Sequence, residues 1–327
     1  MHASRILPAL VVGFALVSVA CSGGNEPSPT PSTSAGGDAS TLAAQVATTD
    51  LAVDRPERVQ VGVFSQTQDA GLQLLAFGQV QLSFSYLGAD GSAQPQPGPT
   101  ATATYLPAPT TASDGDGPAL TEPSQARGVY QADDVRFDHV GVWSAQVAAD
   151  VAGLGSVSLD AHFAVKPSPS LPAPGDKAMK TQNLTLDSKA PPVSIDSRAQ
   201  DGQPIPDPEL HRWTIADAIA QHRPALVLFA TPVYCTSQMC GPSTEALQQL
   251  ADRYPDRAVY IHVEIWRNYQ KSVANQAAAD WLYRDGDLTE PWLYLIGADG
   301  VIQDRWGPVF DVDEVSHDLQ ALPPMKS

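Results

Sequence analysis

Leu226-Val-Leu-Phe-Ala-Thr-Pro-Val-Tyr-Cys235-Thr-Ser-Gln-Met-Cys240-Gly-Pro-Ser-Thr-Glu245 carries the strongest structural signal in the chain. Ala225 to Ala230 is an unbroken apolar run, too short for a helix and bounded by Pro224 and Pro232, so it reads as a strand buried on both faces. Pro242 suits the first turn of a helix, whose Leu247, Leu250, Ala251 and Tyr254 share one face. The two cysteines therefore sit where a central strand hands the chain to a helix N-terminus. Free N–H groups and the helix dipole stabilise a thiolate there, and a thiolate is the nucleophile of disulfide exchange. Four intervening residues permit a disulfide between them.

Reading outward, Thr214 begins a helix carrying Ile215, Ala218 and Ile219, with Asp217 in its first turn, which ends near Arg223-Pro224. A strand is predicted over Ala258 to Ile265 and a helical stretch around Val273 to Tyr283. Trp292 to Ile296, a Gly297-Ala298-Asp299-Gly300 turn and Val301 to Trp306 read as a hairpin, followed by a helix from Asp313 to Leu322. This alternation of helices with buried strands predicts an α/β unit over residues 186–327.

That order, together with the cysteine stretch and Glu290-Pro291-Trp292-Leu-Tyr-Leu, resembles the thioredoxin-fold thiol-disulfide oxidoreductases. The resemblance implies a redox-active pair, with Cys240 attacking and Cys235 resolving or the reverse. It also implies a cis Pro291 set against the pair, where its backbone meets a substrate chain. Glu264 and Trp266 close a strand at its carboxyl end, where ligands gather in open sheets, so both are candidates to line the site, Glu264 as proton acceptor. Tyr234 and Met239 flank the cysteines as candidate substrate contacts or loop packing. The chain departs from the family in having four residues between its cysteines, Ser243 where a second cysteine would follow Cys-Gly-Pro, and Leu228 where a buried acid is common. A structural disulfide in a non-catalytic binding protein is one alternative reading. Another is copper handling, since thiolates favour Cu(I) and relatives with two closely spaced cysteines deliver copper. With four methionines in the chain and no Met or His cluster near residue 235, the expectation is no bound metal and no cofactor.

Residues 55–166 have period two instead. Val80, Leu82, Phe84 and Tyr86 alternate with Gln81, Ser83 and Ser85, and Trp143 to Ala149 and Leu159 to Val165 repeat the pattern. With Val59 to Phe64, Leu72 to Phe77 and Val129 to Phe137, about seven short strands are predicted, as in an immunoglobulin-like β-sandwich. The segment from Gly128 to Trp143 resembles the later strands of such domains in exported bacterial proteins. Trp143 reads as core, the Pro- and Thr-rich insert from Gly91 to Gln125 as a long mobile loop, and His139 and His162 as turn or surface residues. Residues 167–185 begin with a polyproline-like run and read as a semi-rigid linker. The expected architecture is thus an all-β immunoglobulin-like sandwich followed by an α/β thioredoxin-like fold.

Residues 1–20 hold one charged residue, Arg5, and a short apolar run, the pattern of a signal peptide. Ser18-Val19-Ala20-Cys21 resembles the lipobox of bacterial lipoproteins, which implies acylation of Cys21 and a place at the extracytoplasmic face of the cell membrane. Residues 21–54 read as a flexible tether. Acylation also resolves the odd count of three cysteines, leaving Cys235 and Cys240 as a pair. Nineteen basic against 36 acidic residues give a net charge of −17, which repels nucleic acid and anionic headgroups, so attachment falls to acyl chains. The partners implied are exported proteins bearing thiols or disulfides, an unidentified redox partner, and the membrane.

Overall fold

The computed structural model describes residues 42–325. The predicted signal peptide, Cys21 and the tether as far as residue 41 lie outside the described residues. Among those described, 39% are in strand and 17% in helix, so strand pairing rather than helix packing dominates the molecule. No described helix is long and apolar enough to cross a membrane.

The first half is built from β1 (Leu42–Val46), β2 (Leu51–Ala52), β3 (Glu57–Thr67), β4 (Gly71–Ala76), β5 (Gln79–Tyr86), β6 (Gln96–Pro107), β7 (Ala119–Thr121), β8 (Gly128–Val135), β9 (Gly141–Val151) and β10 (Gly155–Lys166). These strands form one sheet in the order β2-β10-β9-β5-β6-β8-β3-β4-β7, with β1 attached to β3. All pairings are antiparallel except β2 with β10. Alternate residues point inward, so Leu82, Phe84, Trp143, Val147 and Phe163 meet in one core. Phe84 and Phe137 pack edge to face at 5.4 Å, as do Phe137 and Trp143 at 5.0 Å. The buried Trp143 indole donates to the His139 carbonyl at 2.9 Å.

The expected immunoglobulin-like sandwich is overturned by β6. Its residues lie in the insert read as a loop, yet β6 pairs with β5 on one side and β8 on the other. Without it the strands would fall into two sheets; with it they form a single curled sheet. The predicted tether is also too long, because Leu42–Val46 is a mostly buried strand in register with Val61–Ser65.

The second half contains α1 (Ile215–Ala220), β11 (Ala225–Ala230), α2 (Cys240–Arg253), β12 (Val259–Glu264), β13 (Trp266–Asn268), β14 (Val273–Ala274), α3 (Gln276–Leu282), β15 (Tyr283–Arg284), β16 (Asp287–Leu288), β17 (Trp292–Ile296), β18 (Ile302–Trp306) and α4 (Val312–Ala321). A four-stranded sheet runs β12-β11-β17-β18, while β13–β14 and β15–β16 are separate small ladders. Only β11 and β12 are parallel. The four helices are short, 6, 14, 7 and 10 residues. The expected α/β thioredoxin-like fold is therefore not the architecture found either: a mixed sheet with brief helices and turns replaces alternating helices and parallel strands. The element positions read from residues 214 to 306 nonetheless match closely. Thr214 caps α1 by accepting from the Asp217 N–H at 3.0 Å, and every residue of β11 is buried. Leu226, Leu228 and Ala230 of β11 face one core, and Val227 and Phe229 face the other.

Residues 167–185 do not act as a spacer. Leu171, Ala173 and Ala178 are buried, and Gly175 and Ala178 donate backbone bonds to Ile302 and Gly300. The two halves are locked where this segment crosses. Arg305 of β18, 8% exposed, donates to the Asp50 carboxylate at 2.8 Å and to the Pro172 carbonyl at 3.0 Å. Asp50, 3% exposed, also accepts from the N–H groups of Ser170 and Leu171. Beside this pair, Arg58 of β3 binds Asp304 and Glu314, and Gln60 exchanges two bonds with the Val309 backbone.

Removing one partner of a buried, hydrogen-bonded pair strands the other charge, so Asp50→Ala is expected to cost roughly 3–5 kcal/mol in urea unfolding. The double variant Asp50→Leu with Arg305→Met is expected to cost less than the sum of the single changes.

Candidate functional site

Strand β11 ends against the cysteine loop, residues 231–239, and α2 starts at Cys240. Cys235 and Cys240 are joined by a disulfide with Cα atoms 6.0 Å apart, within the usual range for such a bridge. Cys240 is fully buried, whereas Cys235 is half-buried and flanked by exposed Thr236 and Ser237. Met239, which precedes α2, offers no capping side chain. Its place is taken by the Cys235 sulfur, which receives the Cys240 N–H at 3.4 Å and lies 3.2 Å from the Ser237 hydroxyl. Of the two sulfurs, that of Cys235 thus lies against the N-terminus of α2.

The large sheet braces this loop from behind. Met239 is 9% exposed and packs with Ala108, Val129 and Val309, so of its two sequence readings the structure shows loop packing. Arg127 donates to the Gln238 carbonyl at 2.9 Å, where Gln238 takes a φ of 60° to turn the chain into α2.

Two carboxylates lie in this region, Glu264 and Glu290. Glu264 is 2% exposed and accepts from the Ser197 N–H at 2.8 Å and the Trp266 N–H at 3.2 Å, which ties it to holding two loops. Burial raises its pKa, only partly offset by His262 and these bonds. Glu290, which the sequence reading passed over, lies at the pair itself: a carboxylate oxygen and both sulfurs lie within 4.8 Å of one another. Burial, with added repulsion from Glu264, pushes its pKa up to about 7. An acid directly before the proline of Glu290-Pro291-Trp292 was the available signal. The Glu290–Pro291 peptide is cis, as the resemblance implied, and Pro291 is buried.

Tyr234 and Trp266 join a cluster completed by Tyr269. The rings of Tyr234 and Tyr269 stack at 4.1 Å, and Trp266 meets Tyr269 edge-on at 5.6 Å. With Tyr269 at 44% and Val233 at 46% exposure, an apolar face borders Cys235.

Below the loop lies a second group absent from the sequence reading. Asp196, His211 and His262 are all 0 to 1% exposed, and their nearest donor atoms lie within 4.8 Å of one another. His262 Nε2 sits 3.1 Å from the Ala230 carbonyl, so that nitrogen carries a proton. Its Nδ1 lies 3.4 Å from Asp196, an arrangement that favours the imidazolium, and although burial opposes charge the His262 pKa is raised by Asp196. Burial would also raise Asp196, but His211, His262 and Arg198 hold its carboxyl well below the usual range. Burial lowers His211, leaving it neutral. Arg198 engages both oxygens of Asp196 at 3.0 and 2.7 Å, so the carboxylate is satisfied by protein cations and has no need of a metal. At the pair, bonded sulfurs offer no thiolate ligand in the oxidised state. Ser197, next to Asp196, accepts from the Val233 N–H at 3.2 Å and so couples the buried group to the cysteine loop.

Comparison with known families finds no family model that matches this chain, and comparison with curated proteins finds no match either.

A carboxyl raised from 4.5 to about 7 keeps its proton in the folded state across a window in which the unfolded chain releases it. Stability therefore falls as pH rises through that window. Urea unfolding of the oxidised protein at pH 5 and pH 8 is expected to show this decline, and Glu290→Gln to reduce it by favouring the variant at pH 8.

Proposed function

We propose that this protein is a lipid-anchored, extracytoplasmic thiol-disulfide oxidoreductase that exchanges disulfides with exported proteins through Cys235 and Cys240. The observation that carries the reading is the unequal pair: one sulfur within reach of solvent at a helix N-terminus, the other sealed beneath it. That asymmetry divides the labour of exchange and favours Cys235 as attacker and Cys240 as resolver. The acylated Cys21 and signal peptide rest on the lipobox-like stretch alone.

In the reducing direction, the Cys235 thiolate attacks one sulfur of a substrate disulfide. A mixed disulfide forms and one substrate sulfur leaves as a thiolate, which takes up a proton. Cys240 then gives its proton to the Glu290 carboxylate and attacks the Cys235 sulfur. The mixed disulfide breaks, the second substrate thiolate departs, and the Cys235–Cys240 bond closes. Two electrons pass from the pair to the substrate, and the reverse sequence oxidises a substrate dithiol. A carboxyl titrating near neutral pH suits this transfer because it can both accept and return a proton. The apolar face of Tyr234, Tyr269 and Val233 lies where an incompletely folded substrate would approach.

Equilibration with glutathione and dithiothreitol buffers tests the reading. An exchange-active pair is expected to titrate well above about −300 mV, and a purely structural bond below it. Cys240→Ser is expected to trap a mixed disulfide on Cys235, and Cys235→Ser to trap none. A pair that resists glutathione-range potentials, with no adduct on either variant, would overturn the proposal.

A further inference from the structure

An open cleft of about 390 Å³ lies beside the disulfide, between the two halves. One wall carries Thr236 and Ser237, which directly follow Cys235, with Glu290 and Pro291 beyond them. The opposite wall comes from the large sheet, where Gln45 and Ala47 face inward from the end of β1. The walls are fixed relative to each other. The Ala47 N–H donates to the Gln60 carbonyl at 2.7 Å, the Gln60 side chain bonds the Val309 backbone of the other half, and Asp50 is held by Arg305.

This placement limits what can react. A substrate cysteine joined to the Cys235 sulfur sits beside Thr236 and Ser237, so the chain on one side of that cysteine has to run into the cleft. Its width between two walls suits an extended segment, and the hydroxyls and amide of Thr236, Ser237 and Gln45 suit a peptide backbone. Among the described residues lining the cleft, Glu290 is the one charged group, and no basic side chain faces it there. A substrate cation would supply the missing partner, whereas a substrate acid would add to the repulsion already exerted by Glu264. We propose that the cleft receives the extended segment beside a substrate's reactive cysteine, and that it favours segments with a Lys or Arg next to that cysteine. The inference rests on disulfide exchange at Cys235 and gives the large sheet a part in choosing substrates.

The test measures how fast the reduced full chain is oxidised by short peptides whose single cysteine is bonded to glutathione, with Lys, Ala or Glu beside the cysteine. Bis(2-hydroxyethyl) disulfide, a small linear oxidant, serves as a reference that reaches Cys235 without a flanking chain. At pH 8, where Glu290 has released its proton, the expected rate order is Lys, Ala, Glu, with about tenfold between the extremes at low salt, shrinking as salt is added. Gln45→Arg, an exposed position, places a cation in the opposite wall and is expected to flatten that order. Ala47→Trp is expected to lower the ratio of peptide rate to reference rate about tenfold by filling the cleft. A flat peptide series, with both variants matching the parent protein while the reference still reacts, would overturn the cleft and leave exchange standing. If neither peptides nor reference react, exchange itself fails and the cleft proposal falls with it.

Discussion

The buried pair between Asp50 and Arg305 is the contact on which the rest of the arrangement depends. Asp50 belongs to the segment between β1 and β2, Arg305 to the edge strand of the smaller sheet, and the carbonyls and N–H groups that complete their bonding come from residues 170–172. Three separate parts of the chain are thereby fixed at one point inside the protein, where leaving either charge unmatched is costly. Arg305 also lies over the Trp292 ring at 5.2 Å, and Trp292 follows Pro291. The same arginine that joins the halves thus supports the loop facing the disulfide.

Around the cysteines, burial decides chemistry more than residue identity does. β11 is apolar on both faces and is held between β12 and β17, so the point at which the chain emerges is rigid. Cys235 and Cys240 are the same residue type, yet α2 places one sulfur at its exposed end and the other within the core. Glu264 and Glu290 differ in the same way. The first is consumed by backbone donors, and the second reaches the sulfurs with few bonds of its own.

How much was legible in the sequence follows from how strongly each segment contrasts polar with apolar residues. β11 could be placed to the residue because six apolar residues stand between two prolines, and the helix at Thr214 announced itself through its cap. β6 could not. Its inward positions include Ala101 and Ala103, set against Thr100, Thr102 and Thr104, so its period of two lacks hydrophobic amplitude and its prolines argue for a loop. Missing that one strand turned a single curled sheet into an expected sandwich. The smaller half shows the complementary error. Its elements were located well, but their local patterns do not specify which strands run parallel or how long each helix continues. Within the site, the cysteine pair was visible as spacing. The Asp196, His211 and His262 group was not, because it joins Asp196 to residues 15 and 66 positions away through tertiary contacts alone. Glu290 was hidden differently, since an acid beside a proline carries no signal until the fold brings it to sulfur.

The order in which these contacts can form has its own consequence. Asp50 emerges early in synthesis, but its partner Arg305 lies 255 residues later. β2 likewise has to wait for β10, Leu51 pairing with Val165. The segment from Asp50 through β2, made early, is thus one of the last to be secured, and such distant pairings slow folding. A nascent chain stopped anywhere before β18 can complete much of the large sheet and still lack its clasp. Until that clasp closes, neither wall beside the disulfide has its final position, so the cleft takes its shape only when the protein's own folding is finished.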